Sequence, residues 1–273
     1  MDDPLWSAKC LLSKSGQDSV RNVHKLYFDA GADIAITATY QATSKVLLRG
    51  KEKEDLAKLS VKLAREAAQK RNVVVACSVG PYGAILHDGS EYTGSYGKSK
   101  GAFEFLRKFH RDRLSILESS NADVLAIETI PCMAEIRALI DVLRKPAWIS
   151  FACKDSNCLN SGEDVEDAIR LCDKADLVLA IGFNCCAPRF ALPLLRKARK
   201  ITKKALVIYP NSGESWDGER HCWTGCGELK EQNVKSWIDE LGGGGGGLII
   251  GGCCRVGPEH IRMIRDVVIR SRR

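Results

Sequence analysis

Two apolar runs in this 273-residue chain end in adjacent cysteines, Gly182-Phe183-Asn184-Cys185-Cys186 and Gly251-Gly252-Cys253-Cys254. Thiolates bind zinc well, and three protein ligands with one open position define a catalytic rather than a structural zinc site. Neither pair has the Cys-x-x-Cys spacing of a zinc ribbon or finger, so these residues meet only through the fold. For any single cysteine the competing reading is a small buried hydrophobe with an inert thiol. Successive side chains on a regular strand face opposite sides. Cys253 and Cys254 therefore share an ion only if the strand breaks, and Gly251-Gly252 supplies the freedom for that break. In the other pair, Cys185 is expected to ligate and Cys186 to pack.

A zinc ion held by three thiolates carries net negative charge and is a modest Lewis acid. It is well suited to binding a further thiol. A free thiol has a pKa of ~8.5 and is mostly protonated at pH 7, whereas a coordinating thiol is deprotonated outright. The reaction this favours is alkylation of a substrate thiol by attack on an electrophilic carbon. A rival cluster, His221, Cys222 and Cys226, lies among Gly213, Gly218, Gly225 and Gly227 and reads as a loop. A redox-active pair at Cys253-Cys254 is a further reading. Cys10, Cys77, Cys132, Cys153, Cys158 and Cys172 are expected to be inert. Glu128 ends the apolar run Leu125-Ala126-Ile127, so its burial demands a cation, a donor or water. A substrate ammonium would satisfy it; a salt bridge across the site's mouth is the alternative.

The elements that must position these groups follow a strand–helix rhythm. Predicted strands are Asp33–Tyr40, Val73–Gly80, Val124–Ile130, Ala147–Cys153, Leu177–Cys185, Ala205–Tyr209 and Leu248–Cys253. Most are continuous apolar runs, as strands of a parallel sheet buried on both faces should be. Between them, Val20, Val23, Tyr27 and Ala30 form a helical stripe stopped by Gly31. Leu56, Leu59, Leu63 and Ala67 form another, then Ile136, Leu139, Ile140 and Leu143, and finally Ile261, Ile264 and Val268.

Such units build a closed (β/α)8 barrel or an open doubly wound sheet. No GxGxxG or Walker sequence opens a helix, which weakens a nucleotide-binding reading. The run Gly242–Gly247 precedes a strand and reads as a loop. Glu128, Cys185 and Cys253-Cys254 end different strands, and in a barrel those ends converge on the face that carries the active site. The barrel is the better reading, as one domain over residues 1–273. About seven strands are visible rather than eight.

Composition narrows the function classes. With 45% hydrophobic and 27% charged residues, the chain is ordinary for a globular protein. No run approaches the roughly 20 apolar residues of a membrane span, and Asp2 and Asp3 sit where a signal peptide would be basic. Twelve cysteines then imply reduced thiols and a cytoplasmic location. The net charge of +7 is spread along helices and the tail Arg270-Ser271-Arg272-Arg273, with no nucleic-acid-binding motif.

At several stretches the chain resembles the homocysteine S-methyltransferase family, in the branch that uses S-methylmethionine or S-adenosylmethionine rather than betaine. They are Asp3-Pro4-Leu5-Trp6-Ser7-Ala8, Ala30-Gly31-Ala32-Asp33, Thr37-Ala38-Thr39-Tyr40-Gln41-Ala42, Ser78-Val79-Gly80-Pro81-Tyr82-Gly83, Glu128-Thr129-Ile130-Pro131 and Tyr209-Pro210-Asn211-Ser212-Gly213-Glu214. The Gly-x-Asn-Cys and Gly-Gly-Cys-Cys motifs complete the set. The resemblance implies a (β/α)8 barrel whose catalytic zinc is held by Cys185, Cys253 and Cys254. Homocysteine would bind the zinc and attack the methyl carbon of a sulfonium donor, giving methionine. Glu128 would hold the homocysteine ammonium, with the Thr39 and Asn184 regions lining the pocket. Family members begin with a strand ending in Asp-Gly-Gly that is not found here, and the segment after Gln41 looks shortened. The expectation is a barrel incomplete at its N-terminus, with a non-catalytic zinc-binding remnant as the alternative.

Overall fold

The computed structural model describes residues 6–41, 51–217, 222–241 and 245–272. Seven parallel strands form one curled sheet: β1 (Ile34–Ile36), β2 (Val74–Val79), β3 (Val124–Ile130), β4 (Ala147–Phe151), β5 (Val178–Asn184), β6 (Ala205–Tyr209) and β9 (Leu248–Ile250). They pair in chain order, β1-β2-β3-β4-β5-β6-β9. An antiparallel hairpin, β7 (Ser215–Asp217) and β8 (Cys222–Thr224), interrupts the series between β6 and β9. The helices that follow or precede the strands are α1 (Lys14–Asp29), α2 (Lys51–Ala68), α3 (Ala102–Leu117), α4 (Met133–Val142), α5 (Val165–Asp173), α6 (Pro188–Ile201), α7 (Glu231–Leu241) and α8 (Pro258–Ser271).

Alternation along each strand divides the core in two. Val75, Cys77, Leu125, Ile127, Ile149, Ile181, Leu206 and Ile208 face the helices. Ala76, Ala126, Trp148, Ala180, Val207 and Tyr209 face the interior of the curl. Small alanines on three strands leave room there for Trp148 and Tyr209, the two large residues of that layer. Both faces are dry, which is why the strands read as continuous apolar runs; each buried aliphatic side chain contributes about 1.5–3 kcal/mol.

Local signals bound the helices, and Gly31 is the expected stop. Ser13 caps α1 by accepting from the Gly16 amide at 3.1 Å, and Gly31 leaves the helix at φ +101°, a conformation costly for other residues. Asp164 caps α5 through the Glu166 amide at 2.6 Å.

Among the described residues the barrel is incomplete, as expected. Strands β1 and β9 end the sheet, and all three residues of β9 are only half-buried, whereas β4 is wholly buried. Helices α1 and α8 span the interval between these two ends. Arg265 of α8 pairs with Asp33 at 2.9 Å and lies against Gly31. The Tyr27 hydroxyl donates to the Val256 carbonyl at 2.9 Å.

Three expectations need correction. Val23, placed in the buried stripe of α1, is 50% exposed. Helix α1 packs chiefly on α2 and the 3-10 segment before it, so part of its apolar stripe has no partner among the described residues. The first strand stops at Ile36 rather than Tyr40, because side chains replace the ladder. The Ser78 amide donates to the Thr37 hydroxyl, and the Thr39 hydroxyl donates to the Ser78 carbonyl. The last strand stops at Ile250 rather than Cys253. The segment after Gln41 and Gly242–Gly244 lie outside the described residues; Gly245, Gly246 and Gly247 all have positive φ.

Gly182 offers a test of this packing. A Cβ there would lie 1.8 Å from the Val207 carbonyl oxygen, and backbone of a central strand pair cannot yield. Gly182→Ala is expected to destabilise the chain by about 3 kcal/mol or more, read as a lowered urea midpoint.

Candidate active site

Strand β6 lies between the two cysteine-bearing strands, and the segment that follows it holds both. The Cys185 amide donates to the Tyr209 carbonyl at 3.2 Å, and the Cys253 amide to the Pro210 carbonyl at 2.8 Å. The Cys254 amide donates to Asn211 Oδ1 at 3.2 Å. In return the Asn211 amide reaches the Cys186 carbonyl, and the Ser212 amide the Cys254 carbonyl, each at 2.9 Å.

This lattice brings three sulfurs together. Cys185 and Cys253 Sγ are 3.2 Å apart, Cys185 and Cys254 3.7 Å, and Cys253 and Cys254 4.0 Å. Sulfurs bound to one tetrahedral metal through ~2.3 Å bonds sit about 3.8 Å apart, so the donor set fits a metal ion. Among the described residues it is the one such group of three ligating side chains. Cys253 and Cys254 face the same point because the chain has already left β9 and turns, with the Val256 amide on the Cys253 carbonyl at 3.2 Å and Arg255 at φ +64°. Gly251 and Gly252 serve differently from expectation. Neither has a positive φ; a Cβ on Gly252 would lie 1.9 Å from the Val256 side chain, so what is needed there is room.

The three thiols share their protons unequally. Cys254 lies well below the ordinary thiol range because Cys185, then Cys253, hydrogen-bond to it. At Cys185 the bond from Cys253 favours ionisation, but Cys254 and burial outweigh it and hold the thiol well above that range. At Cys253 the neighbouring Cys185 and Cys254 sulfurs and burial all push upward. A bound metal must therefore displace protons from Cys185 and Cys253, and its affinity rises with pH.

Glu128 arrives from β3 by a bulge. Ile127 pairs with Ile149 but Ile130 with Phe151, so β3 carries one extra residue, and Thr129 takes φ +62°. Bulges re-aim side chains beside active sites. Glu128 is 8% exposed; its carboxylate accepts from the Ser78 hydroxyl, and the Tyr209 hydroxyl lies close by. Burial raises its pKa to about 7 against these hydroxyls and the more distant Arg113. The two terminal nitrogens of Arg113 donate to the carbonyls of Gly80, Thr39 and Tyr40, so they do not form a salt bridge with Glu128. Tyr209 feels both Glu128 and Cys253, which sets the carboxylate on the sulfurs' side of the curl.

The remaining expected residues have other occupations. The Thr39 hydroxyl is buried between Thr37, at 2.8 Å, and the Ser78 carbonyl, at 2.8 Å. Asn184 is 1% exposed and its amide is spent on Thr129 and Ser150. Cys186 is a packed hydrophobe whose thiol burial pushes up to about 12. In the rival cluster His221 lies outside the described residues, and Cys226 is exposed. Sequence reasoning missed Ser78, Ser150, Tyr209 and Asn211 as site builders, although Ser78 and Ser150 are polar residues inside apolar strands. It also missed Tyr92, whose hydroxyl is 3.8 Å from Cys185 Sγ; no pattern in its loop points there.

A curled parallel sheet with a three-thiol centre and a buried carboxylate at its strand ends defines an α/β-barrel enzyme. The family model described as Homocysteine S-methyltransferase matches residues 1–268. The chain is 41% identical over 294 aligned residues to Homocysteine S-methyltransferase 2 of Zea mays, covering 99% of this chain and 85% of that protein. It superposes on the oxidised form of the homocysteine methyltransferase MmuM from Escherichia coli with a TM-score of 0.81 and 37% identity, covering 97% of this chain and 89% of that one. For the metallated form of the same protein the TM-score is 0.79 and the identity 35%, with the same coverage. The chain belongs to the homocysteine S-methyltransferase family, and so to the methyltransferase enzymes. A non-catalytic remnant finds no support in likenesses that run over nearly the whole chain. No helix among the described residues is long and apolar enough to cross a membrane.

Changing Cys185, Cys253 or Cys254 singly to Ser is expected to weaken metal binding by more than about 100-fold, since even outer-shell partners are worth 10–100-fold. Cys186→Ser should leave the metal-to-protein ratio unchanged. Cobalt(II) titration followed by thiolate charge-transfer absorbance checks both.

Proposed function

We propose that this protein transfers a methyl group from a sulfonium donor, S-methylmethionine or S-adenosylmethionine, to the thiol of homocysteine, giving methionine. The observation that carries the reading is the convergence of Cys185, Cys253 and Cys254 beside a buried carboxylate that has no ion pair among the described residues. The three thiols, soft donors at tetrahedral separations, suit zinc. Zinc held there would keep the incoming thiol ionised at neutral pH. The new S–C bond forms as the donor's S–C bond breaks, and the donor's positive charge is lost with the methyl group. No general acid is required, so the task left to the chain is orientation.

Glu128 supplies that orientation by taking the homocysteine ammonium. Held neutral by burial to about pH 7, it gains a counter-charge when substrate enters, and the Ser78 hydroxyl holds the carboxylate in place. Thr39 and Asn184 act behind it, on Ser78 and Thr129, rather than on substrate. A reducing compartment such as the cytoplasm would keep the three thiols available.

Incubation of the purified, zinc-loaded protein with homocysteine and each donor should yield methionine, and Cys253→Ala should yield none; equal product from both would overturn the reading. The buried acid sets a pH dependence. Its folded pKa lies above the ordinary value of 4.5, so it is protonated, and a poorer partner for ammonium, as pH falls through 7. KM for homocysteine is expected to rise by up to about tenfold per pH unit below 7, and Glu128→Gln to raise KM and flatten that profile.

A further inference from the structure

Thr129 is β-branched yet sits at φ +62°, a genuine outlier for such a residue. It persists because Asn184 grips it twice. Asn184 Oδ1 accepts from the Thr129 amide at 2.7 Å, and Asn184 Nδ2 donates to the Thr129 hydroxyl at 2.7 Å. The Asn184 amide is itself fixed, because the Ser150 hydroxyl donates to its Oδ1 at 2.8 Å and Ser150 is bonded to the Tyr209 hydroxyl at 2.6 Å. All of these groups are buried, and both polar atoms of the Asn184 side chain are engaged within the clamp. The clamp joins the residue after Glu128 to the residue before Cys185.

We propose that Asn184 is a positioning residue: by clamping Thr129 in the left-handed conformation it sets the β3 bulge that aims the Glu128 carboxylate, and ties that aim to the Cys185 strand end. The inference rests on the reading of Glu128 as the ammonium site. It differs from a pocket-lining role in one consequence. A residue that contacts substrate is not replaced by a change in backbone freedom, whereas a clamp is. Glycine takes positive φ without support, so Thr129→Gly substitutes for the clamp once the clamp is gone.

The test is a double-mutant cycle of Asn184→Ala and Thr129→Gly, read by thermal midpoint without substrate and by homocysteine KM against kcat with zinc-loaded protein. Asn184→Ala alone should lower the midpoint and raise KM about tenfold with kcat changed far less. Thr129→Gly should lower the midpoint in the wild-type background, where it removes a clamped hydroxyl. In the Asn184→Ala background it should raise the midpoint and bring KM back toward the Thr129→Gly value. A further fall in midpoint in that background, or a KM that stays high in the double variant, overturns the proposal. If Asn184→Ala does not fold, Asn184→Asp, which keeps the acceptor and loses the donor, enters the same cycle. Absence of methionine formation by the wild-type protein would instead sink the assigned reaction, and the sign of the melting shift would still decide the clamp.

Discussion

The site depends on the hydrogen bonds of one short stretch of chain at the end of β6. Tyr209–Ser212 follows the strand between β5 and β9, and it hydrogen-bonds to Cys185, Cys186, Cys253 and Cys254. Sulfurs separated by 68 residues in the chain come within 3.2 Å because both strand ends are read against that one template. A slip of one residue moves a strand by ~3.3 Å and turns its side chains to the opposite face. That displacement equals the sulfur separations themselves, so a metal-competent trio requires register fixed on both sides of β6. Gly182, packed against the Val207 carbonyl, holds the β5 side; the pairing of Ile208 with Ile250 holds the other.

The carboxylate obeys a different constraint. A pKa of about 7 against an ordinary 4.5 corresponds to roughly 3 kcal/mol set against the charged form. Hydroxyl donors reduce that cost without cancelling it. Were a guanidinium paired with Glu128, the acid would be ionised at every relevant pH and already satisfied. Arg113 instead spends its donors on carbonyls at the ends of β1 and β2, stabilising the loops around the site while leaving the carboxylate in want of a cation. Hydroxyls on one side and a remote charge on the other leave a buried carboxylate without a fixed counter-ion among the described residues.

The fold was legible in the sequence wherever burial on both faces made strands into apolar runs. Val124–Ile130 and Ala205–Tyr209 have the predicted limits, and the three cysteines that converge were visible as strand ends. The errors share a cause: contacts made across the fold. Thr37 and Thr39 look like strand residues but end β1, because their hydroxyls serve Ser78. The strand does break at Gly251-Gly252, as expected, but the positive φ falls at Arg255 and Gly252 makes room for Val256. Asn184 beside Cys185 reads as a pocket residue, and no pattern in sequence shows that its amide bonds to Thr129 and Ser150. The helix stripe through Val23 was right in period. Its burial depended on a neighbour that period alone does not supply.

Strain is concentrated where the chemistry is. Three of the six non-glycine residues with positive φ among the described residues are Thr129, Cys185 and Arg255, each at or just after the C-terminal end of a strand that contributes to the site. Such conformations cost about 1–3 kcal/mol each, a substantial fraction of the 5–15 kcal/mol by which a domain is stable. Glycine at these positions would remove the cost, but each side chain has a use. Cys185 must carry a sulfur, Thr129 must offer Asn184 an acceptor, and Arg255 pairs with Glu214 at 3.1 Å beside the turn. The wholly buried central strands supply the stability that permits this, and they do so from below the strand ends, where no side chain is required to do anything but pack.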